Sequence, residues 1–256
     1  MSRIIAIANQ KGGVGKTTTV INLSACLAEA GKKVLTVDMD PQGNSSSGLG
    51  LDKDQLKNTV YQLMIRQCGI REAIYPSSME KVSVLPATVH LAGAEVELIG
   101  EKGSQFILKE QLNEIREEFD YILIDCPPSL NLLTINAMTA ADSVLVPIQC
   151  EYYALEGLSQ LLYTIGLVQK SLNPELVIEG VVFTMYDART NLSLQVVDNV
   201  KQHLRQKIYK TIIPRNVRLA EAPSHGLPII LYDPRSAGAE SYRKLAKEVI
   251  SYNGKR

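Results

Sequence analysis

Short, continuously apolar runs separated by helix-length segments recur from one end of the chain to the other, and they restrict the fold more than any other feature. The runs fall at residues 4–8 (IIAIA), 34–38 (VLTVD), 82–86, 121–125 (YILID), 143–148 (SVLVPI), 177–184 and 211–213. Most show no polar alternation, as expected of strands buried on both faces. Helices are expected at 17–30, closed by Gly31 as a C-terminal cap, and at 105–118, 154–171, 192–206 and 239–252. Strand, helix, strand in this order implies right-handed crossovers and a mostly parallel, twisted sheet flanked by helices on both faces. No repeat, low-complexity tract or long Pro/Gly/Ser linker divides the 256 residues, so a single α/β domain over 1–256 is expected. A chain of this length buries a sizeable core without disulfides or structural metals.

The strongest chemical signal stands between the first strand and the first helix: Gln10-Lys11-Gly12-Gly13-Val14-Gly15-Lys16-Thr17-Thr18. Small residues let the backbone wrap closely, so that successive N–H groups point at phosphate oxygens and the helix start adds partial positive charge. In such a loop Lys16 reaches the β- and γ-phosphates and the Thr17 hydroxyl ligates Mg²⁺. The ordinary pattern has Gly six positions before its Lys, where this chain has Gln10. A dinucleotide fingerprint fails, because Thr18 occupies the third glycine position. A second lysine, Lys11, shares the turn with Lys16, and two ammonium groups repel unless an anion intervenes. Asp38 and Asp40 close the second strand and Asp125 closes another, at the strand ends where ligands collect in open parallel sheets. Aspartates also terminate strands without a ligand; the adjacent phosphate loop favours the functional role for Asp125.

The four cysteines, Cys26, Cys68, Cys126 and Cys150, lie far apart with no C-x-x-C pair. They read as reduced thiols rather than as a zinc site or a disulfide framework. The apolar run at 4–8 lacks the length and cleavage site of a signal peptide. No run approaches the ~18 apolar residues of a membrane span, so a cytoplasmic chain is expected. Lys plus Arg and Asp plus Glu each number 27, which excludes nucleic-acid binding by bulk positive charge. The charge is nevertheless segregated. Residues 185–218 carry seven basic against two acidic side chains, whereas 95–125 carry nine acidic against three basic.

Other segments add to the phosphate loop. Val37-Asp38-Met39-Asp40-Pro41-Gln42-Gly43-Asn44 has the form of a switch I segment, and Ile124-Asp125-Cys126-Pro127-Pro128-Ser129 that of a Walker B and switch II segment. With KGGVGKTT at 11–18 and further matches at 149–157, 187–191, 213–218 and 221–226, the chain resembles the ParA/MinD family of deviant Walker A ATPases, closest to the chromosomal ParA partitioning proteins. The resemblance covers essentially the whole chain. It implies a P-loop NTPase fold, ATP and Mg²⁺ as ligands, and weak intrinsic hydrolysis to ADP and phosphate. The implied nucleotide-binding set is Lys11, Gly12, Gly13, Val14, Gly15, Lys16, Thr17 and Thr18, with Met185, Pro214 and Asn216 near the adenine; Pro214 reads almost as well as a plain turn. Thr17, Asp38 and Asp125 are implied at the metal, Asp125 through a water. Lys11, Lys16 and Asp40 are the implied catalytic residues: Asp40 positions the attacking water, and Lys11 crosses to the ATP of a second subunit in a nucleotide-sandwich homodimer. Non-specific double-stranded DNA, met by Arg189 and Arg218, and a ParB-type protein that stimulates hydrolysis are the implied partners, with nucleoid association in the ATP-bound state. Lys201, Arg205 and Lys207 stay undecided.

Three other readings share the loop. A MinD-like membrane-associated cell-division ATPase needs a C-terminal amphipathic helix. Tyr242, Leu245, Ala246, Val249 and Ile250 do recur at helical spacing, but a terminal helix packed on the sheet explains that stripe better, so no stable membrane anchor is expected. A reductase like nitrogenase iron protein needs a cluster bridged by cysteines of two subunits, and only Cys126 lies near the switch II segment. A small-molecule ligase or kinase needs its own polar constellation, and none stands out.

Overall fold

The computed structural model describes residues 2–151, 154–187, 191–203 and 208–253. Its strands are β1 (Arg3–Ile7), β2 (Val34–Asp38), β3 (Tyr75–Pro76), β4 (Val82–Leu85), β5 (Tyr121–Asp125), β6 (Ser143–Gln149), β7 (Val177–Tyr186) and β8 (Ile208–Pro214). Among the described residues they form one eight-stranded sheet in the order β3-β4-β2-β5-β1-β6-β7-β8. Every pairing is parallel except β3 with β4. The helices are α1 (Lys16–Glu29), α2 (Asn44–Gly48), α3 (Val60–Met64), α4 (Leu91–Glu97), α5 (Ile107–Asn113), α6 (Leu132–Ala140), α7 (Ala154–Ser171), α8 (Asn191–His203), α9 (Val217–Glu221), α10 (Ile229–Tyr232) and α11 (Ala237–Asn253).

Successive residues of a strand face opposite sides, and β1 shows the consequence. Ile4 and Ala6 enter the core shared with α3 to α8, while Ile5 and Ile7 enter the core shared with α1 and α9 to α11. Each fully buried Ile or Leu contributes about 1.5–3 kcal/mol, so two covered faces make the apolar runs the main source of stability. The expected mostly parallel sheet flanked on both faces is what the chain forms.

α1 stops where Gly31 was expected to end it. Gly31 takes φ +89, its N–H donates to the Ala28 carbonyl, and Lys32 N–H donates to that of Leu27, which is a Schellman closure. The stripe on α11 packs inward: Tyr242, Leu245, Ala246 and Val249 are buried, and the Tyr242 and Thr19 hydroxyls lie 3.2 Å apart. No helix among the described residues is long and apolar enough to cross a membrane.

The helix expected at 105–118 is instead a 3₁₀ turn (Ser104–Phe106), α5, and a second 3₁₀ turn (Arg116–Glu118). Arg116 accounts for the tightened end, because its guanidinium donates to both oxygens of Asp142 and to the Ser2 carbonyl. The expected helix at 192–206 is seen as α8; residues 204–207 lie outside the described ones.

Candidate nucleotide site

The candidate residues gather along the C-terminal edge of the sheet because parallel strands bring their ends into one row. Asp125, the last residue of β5, is in register with Ile7 of β1 on one side and Asp38 of β2 on the other. Further along, Gln149 pairs with Thr184 and Tyr186 with Pro214.

From β1 the chain turns into α1 through the glycine-rich loop. Gly13 and Gly15 adopt φ +74 and +86, a region that L side chains rarely enter. Val14 between them is buried, and its carbonyl accepts the Thr184 hydroxyl at 2.8 Å. Asn9 braces the other end: its Oδ1 accepts Lys11 N–H at 3.0 Å and its Nδ2 donates to the Pro147 carbonyl at 2.8 Å. α1 begins with no side-chain cap and no acidic residue in its first turn. Its first N–H groups and partial positive charge are therefore directed at the loop.

Lys16 is buried, with its ammonium 3.2 Å from the Lys11 carbonyl. Burial lowers its pKa, opposed most strongly by Asp125. The Lys11 ammonium forms an ion pair with Glu151 at 2.5 Å, and Gln149 donates to the other Glu151 oxygen. Lys11, expected to cross to a second subunit, is thus held within its own chain.

The two neighbouring carboxylates differ. Asp125 is wholly buried, and neither of its oxygens has a hydrogen-bond donor among the described residues; the Thr17 hydroxyl lies close enough to favour its charged form without completing a bond. Burial first, and then Asp38, push its pKa well above the usual carboxylate range. A donorless carboxylate beside a hydroxyl and a buried ammonium fits a divalent cation. Mg²⁺, which uses one or two carboxylates together with phosphate and water, is such a cation. No group of three or more His, Cys, Asp or Glu side chains among the described residues is placed to hold a metal. Asp38, also wholly buried, has both oxygens engaged by its own loop: Oδ1 accepts Asp40 N–H, and Oδ2 accepts the N–H and hydroxyl of Ser46. Burial raises its pKa and Ser46 opposes the rise. Asp40 is half-buried and its Oδ1 accepts Gln42 N–H at 2.9 Å, a self-closed turn.

A cavity of about 780 Å³ adjoins the loop at Gly15 and Thr18 and runs to Met185, Tyr186, Pro214 and Asn216. Met185 holds φ +49 at the end of β7, a strained conformation for a non-glycine residue. Asn216 caps α9, its Oδ1 accepting Arg218 N–H at 2.8 Å, which leaves the amide as the group that can donate into the cavity. Met185, Pro214 and Asn216 are thus brought together with the phosphate loop. Arg218 is exposed and pairs with Glu221 at 2.9 Å and Asp233 at 3.7 Å. Lys201 is exposed on α8, whereas Arg189, Arg205 and Lys207 lie outside the described residues.

Glu151, Thr184 and Ser46 escape sequence reasoning. Their partners lie 140, 170 and 8 residues away and follow no period that a pattern could reveal.

A phosphate-directed loop continuous with a cavity roomy enough for a nucleoside makes this a P-loop nucleotide-binding protein. Comparison with known proteins narrows the class. A family model described as an AAA domain (AAA_31) matches residues 2–178. The sporulation initiation inhibitor protein Soj of Bacillus subtilis is 61% identical over 251 residues, which cover 98% of this chain and 99% of that one. The chromosome-partitioning ATPase Soj of Treponema pallidum is 51% identical over 256 residues, all of both chains. Among solved structures, cobyrinic acid a,c-diamide synthase from Mycobacterium smegmatis with a bound ATP analogue and magnesium has a TM-score of 0.88 and 38% identity, covering 100% of this chain and 98% of its own. The cell division ATPase MinD of Pyrococcus furiosus follows at 0.82 and 31%, covering 98% and 100%. The chain belongs to the ParA/MinD-type AAA domain family, in its Soj/ParA group of chromosome-partitioning ATPases.

Proposed function

We propose that residues 1–256 act as one ATPase domain and as a DNA-partitioning switch. The chain binds MgATP, dimerises face to face around two nucleotides, coats DNA without sequence preference and hydrolyses ATP slowly until a ParB-type partner accelerates it. Its working place is the cytoplasm, on the nucleoid while ATP is bound. The observation that carries this reading is the donorless, buried Asp125 carboxylate beside Lys16 and Thr17 at the mouth of the glycine-rich loop.

Loop N–H groups, the α1 N-terminus and Lys16 hold the phosphates, and Thr17 and Asp125 would hold Mg²⁺. The metal supplies charge neutralisation at the β- and γ-phosphates. Asp40, in its turn at the end of β2, orients the attacking water. Lys11 leaves Glu151 and crosses to the nucleotide of the second subunit, so only the ATP form has the bridge that favours the dimer. A dimer doubles the basic face that includes Arg218 and, in sequence, Arg189, which ties DNA affinity to ATP. A membrane-associated MinD-like role gains no support from α11, whose apolar stripe is taken up by the core.

Sedimentation and DNA retention with ATP and with ADP, repeated across salt concentrations, test the switch. Asp40→Ala is expected to bind ATP and remain dimeric on DNA while losing hydrolysis. A variant that is monomeric with ATP would contradict the role given to Asp40.

A further inference from the structure

The turn that carries Asp40 is held by Asp38, Ser46 and Ala87. Asp38 Oδ1 accepts Asp40 N–H at 3.2 Å, and Asp38 Oδ2 accepts Ser46 N–H at 2.9 Å and the Ser46 hydroxyl at 2.6 Å. The same Ser46 oxygen accepts Ala87 N–H, from the segment between β4 and α4, at 3.1 Å. Ala87 also closes the turn from outside. Gly43 sits at φ +63 with its Cα against the Ala87 carbonyl, so that a Cβ built there would fall 2.5 Å from that oxygen. Asp38 and Ser46 are fully buried. The Ser45 hydroxyl lies beside Asp38 without completing a hydrogen bond.

A hydroxyl has one proton to donate and lone pairs to accept with. Ser46 uses the proton on Asp38 and a lone pair on Ala87, which makes it the link between the β4–α4 segment and the Asp38 carboxylate. Asp125, one strand over in the same register, has neither oxygen so engaged. The two carboxylates therefore differ: both Asp125 oxygens lack a donor among the described residues, whereas both Asp38 oxygens are engaged by Asp40 and Ser46.

We propose that Ser46 is a positioning residue for ATP hydrolysis, acting through Asp38 to hold the turn that presents Asp40. The proposal rests on the ATPase reading above. Ser46 lies outside the phosphate loop and is not among the residues lining the base cavity, so its loss acts on the reaction rather than on nucleotide binding.

The test is steady-state hydrolysis of MgATP by the full chain, wild type and Ser46→Ala, with ATP-dependent dimerisation followed by sedimentation. The expected result is a fall in kcat between about tenfold and a hundredfold, as for a catalytic group displaced by up to ~1 Å, with KM for ATP within about twofold and the dimer retained. Asp38→Ala and the double variant Asp38→Ala/Ser46→Ala are expected to share one kcat, because residues acting through each other do not add. If Ser46→Ala does not fold, Ser46→Cys keeps the size and a weaker donor and is expected to lose kcat in the same direction. Unchanged kcat in a folded variant, a rise in KM alone, or additive losses in the double variant would overturn the proposal. A wild-type chain that binds MgATP but never hydrolyses it would overturn the ATPase reading and this proposal with it. A hydrolysing wild type beside an unimpaired variant overturns this proposal alone.

Discussion

Asp38 and Asp125 are one strand apart, equally buried, and opposite in bonding. Asp38 is satisfied by its loop, whereas Asp125 is stored without a donor, at a cost to the nucleotide-free protein. The pKa of each is raised by burial. A carboxylate with a folded pKa above its unfolded value near 3.9 makes its full relative contribution to stability below that unfolded value. The contribution is lost as pH rises through the interval to the raised folded value, because the folded state then holds the extra proton. Asp125→Asn is therefore expected to melt a few degrees above wild type at pH 7.5 without nucleotide, taking about 2–4 °C per kcal/mol for a chain of this size. The gap should narrow toward pH 4 and the order reverse in saturating MgATP. Calorimetry at two pH values checks this, and a variant less stable than wild type at pH 7.5 without ligand would remove the account of Asp125 as a buried carboxyl group without a donor.

Among the elements, the glycine-rich loop and the end of β6 meet through the Lys11–Glu151 pair, with side chains 33% and 47% exposed. Such a pair is worth about 1 kcal/mol or less, enough to bias Lys11 toward its own chain without locking it there. Glu151→Gln is expected to lower the protein concentration needed for the ATP-dependent dimer by roughly two- to fivefold; sedimentation at several concentrations measures it, and a weaker dimer would contradict the role. The seven expected strands correspond to elements of the sheet, because short, mostly apolar runs announce burial by themselves. β3 did not announce itself, since two residues, Tyr75 and Pro76, carry no period. The helix expected at 105–118 breaks after Asn113 because Arg116, reaching Asp142, overrides its helical periodicity.

For the whole molecule, a net charge of zero separates into a basic late segment and an acidic middle one. Arg218 stands exposed on α9, in ion pairs with Glu221 and Asp233; in the proposed DNA-bound state phosphates take their place. Phosphate contacts lower log K with log salt by about 0.9 each. Arg189→Glu with Arg218→Glu removes two contacts per subunit and should lower the salt slope of DNA retention by about 3 to 4, with ATP-dependent dimers intact. An unchanged slope would take these arginines out of the DNA face.

The sequence by itself determined the two-faced parallel sheet, the phosphate loop at the end of β1 and the identity of the lysines and aspartates around it. Each of these depends on residues close together in the chain, where period and spacing are visible. Tertiary structure alone decided how those groups are used: that Asp38 is bound into its loop by Ser46 while Asp125 is left open, and that Lys11 rests on Glu151. Hydrogen bonds and ion pairs depend on separations set to within a few tenths of an ångström between groups that only packing brings together, and no periodicity along the chain encodes them.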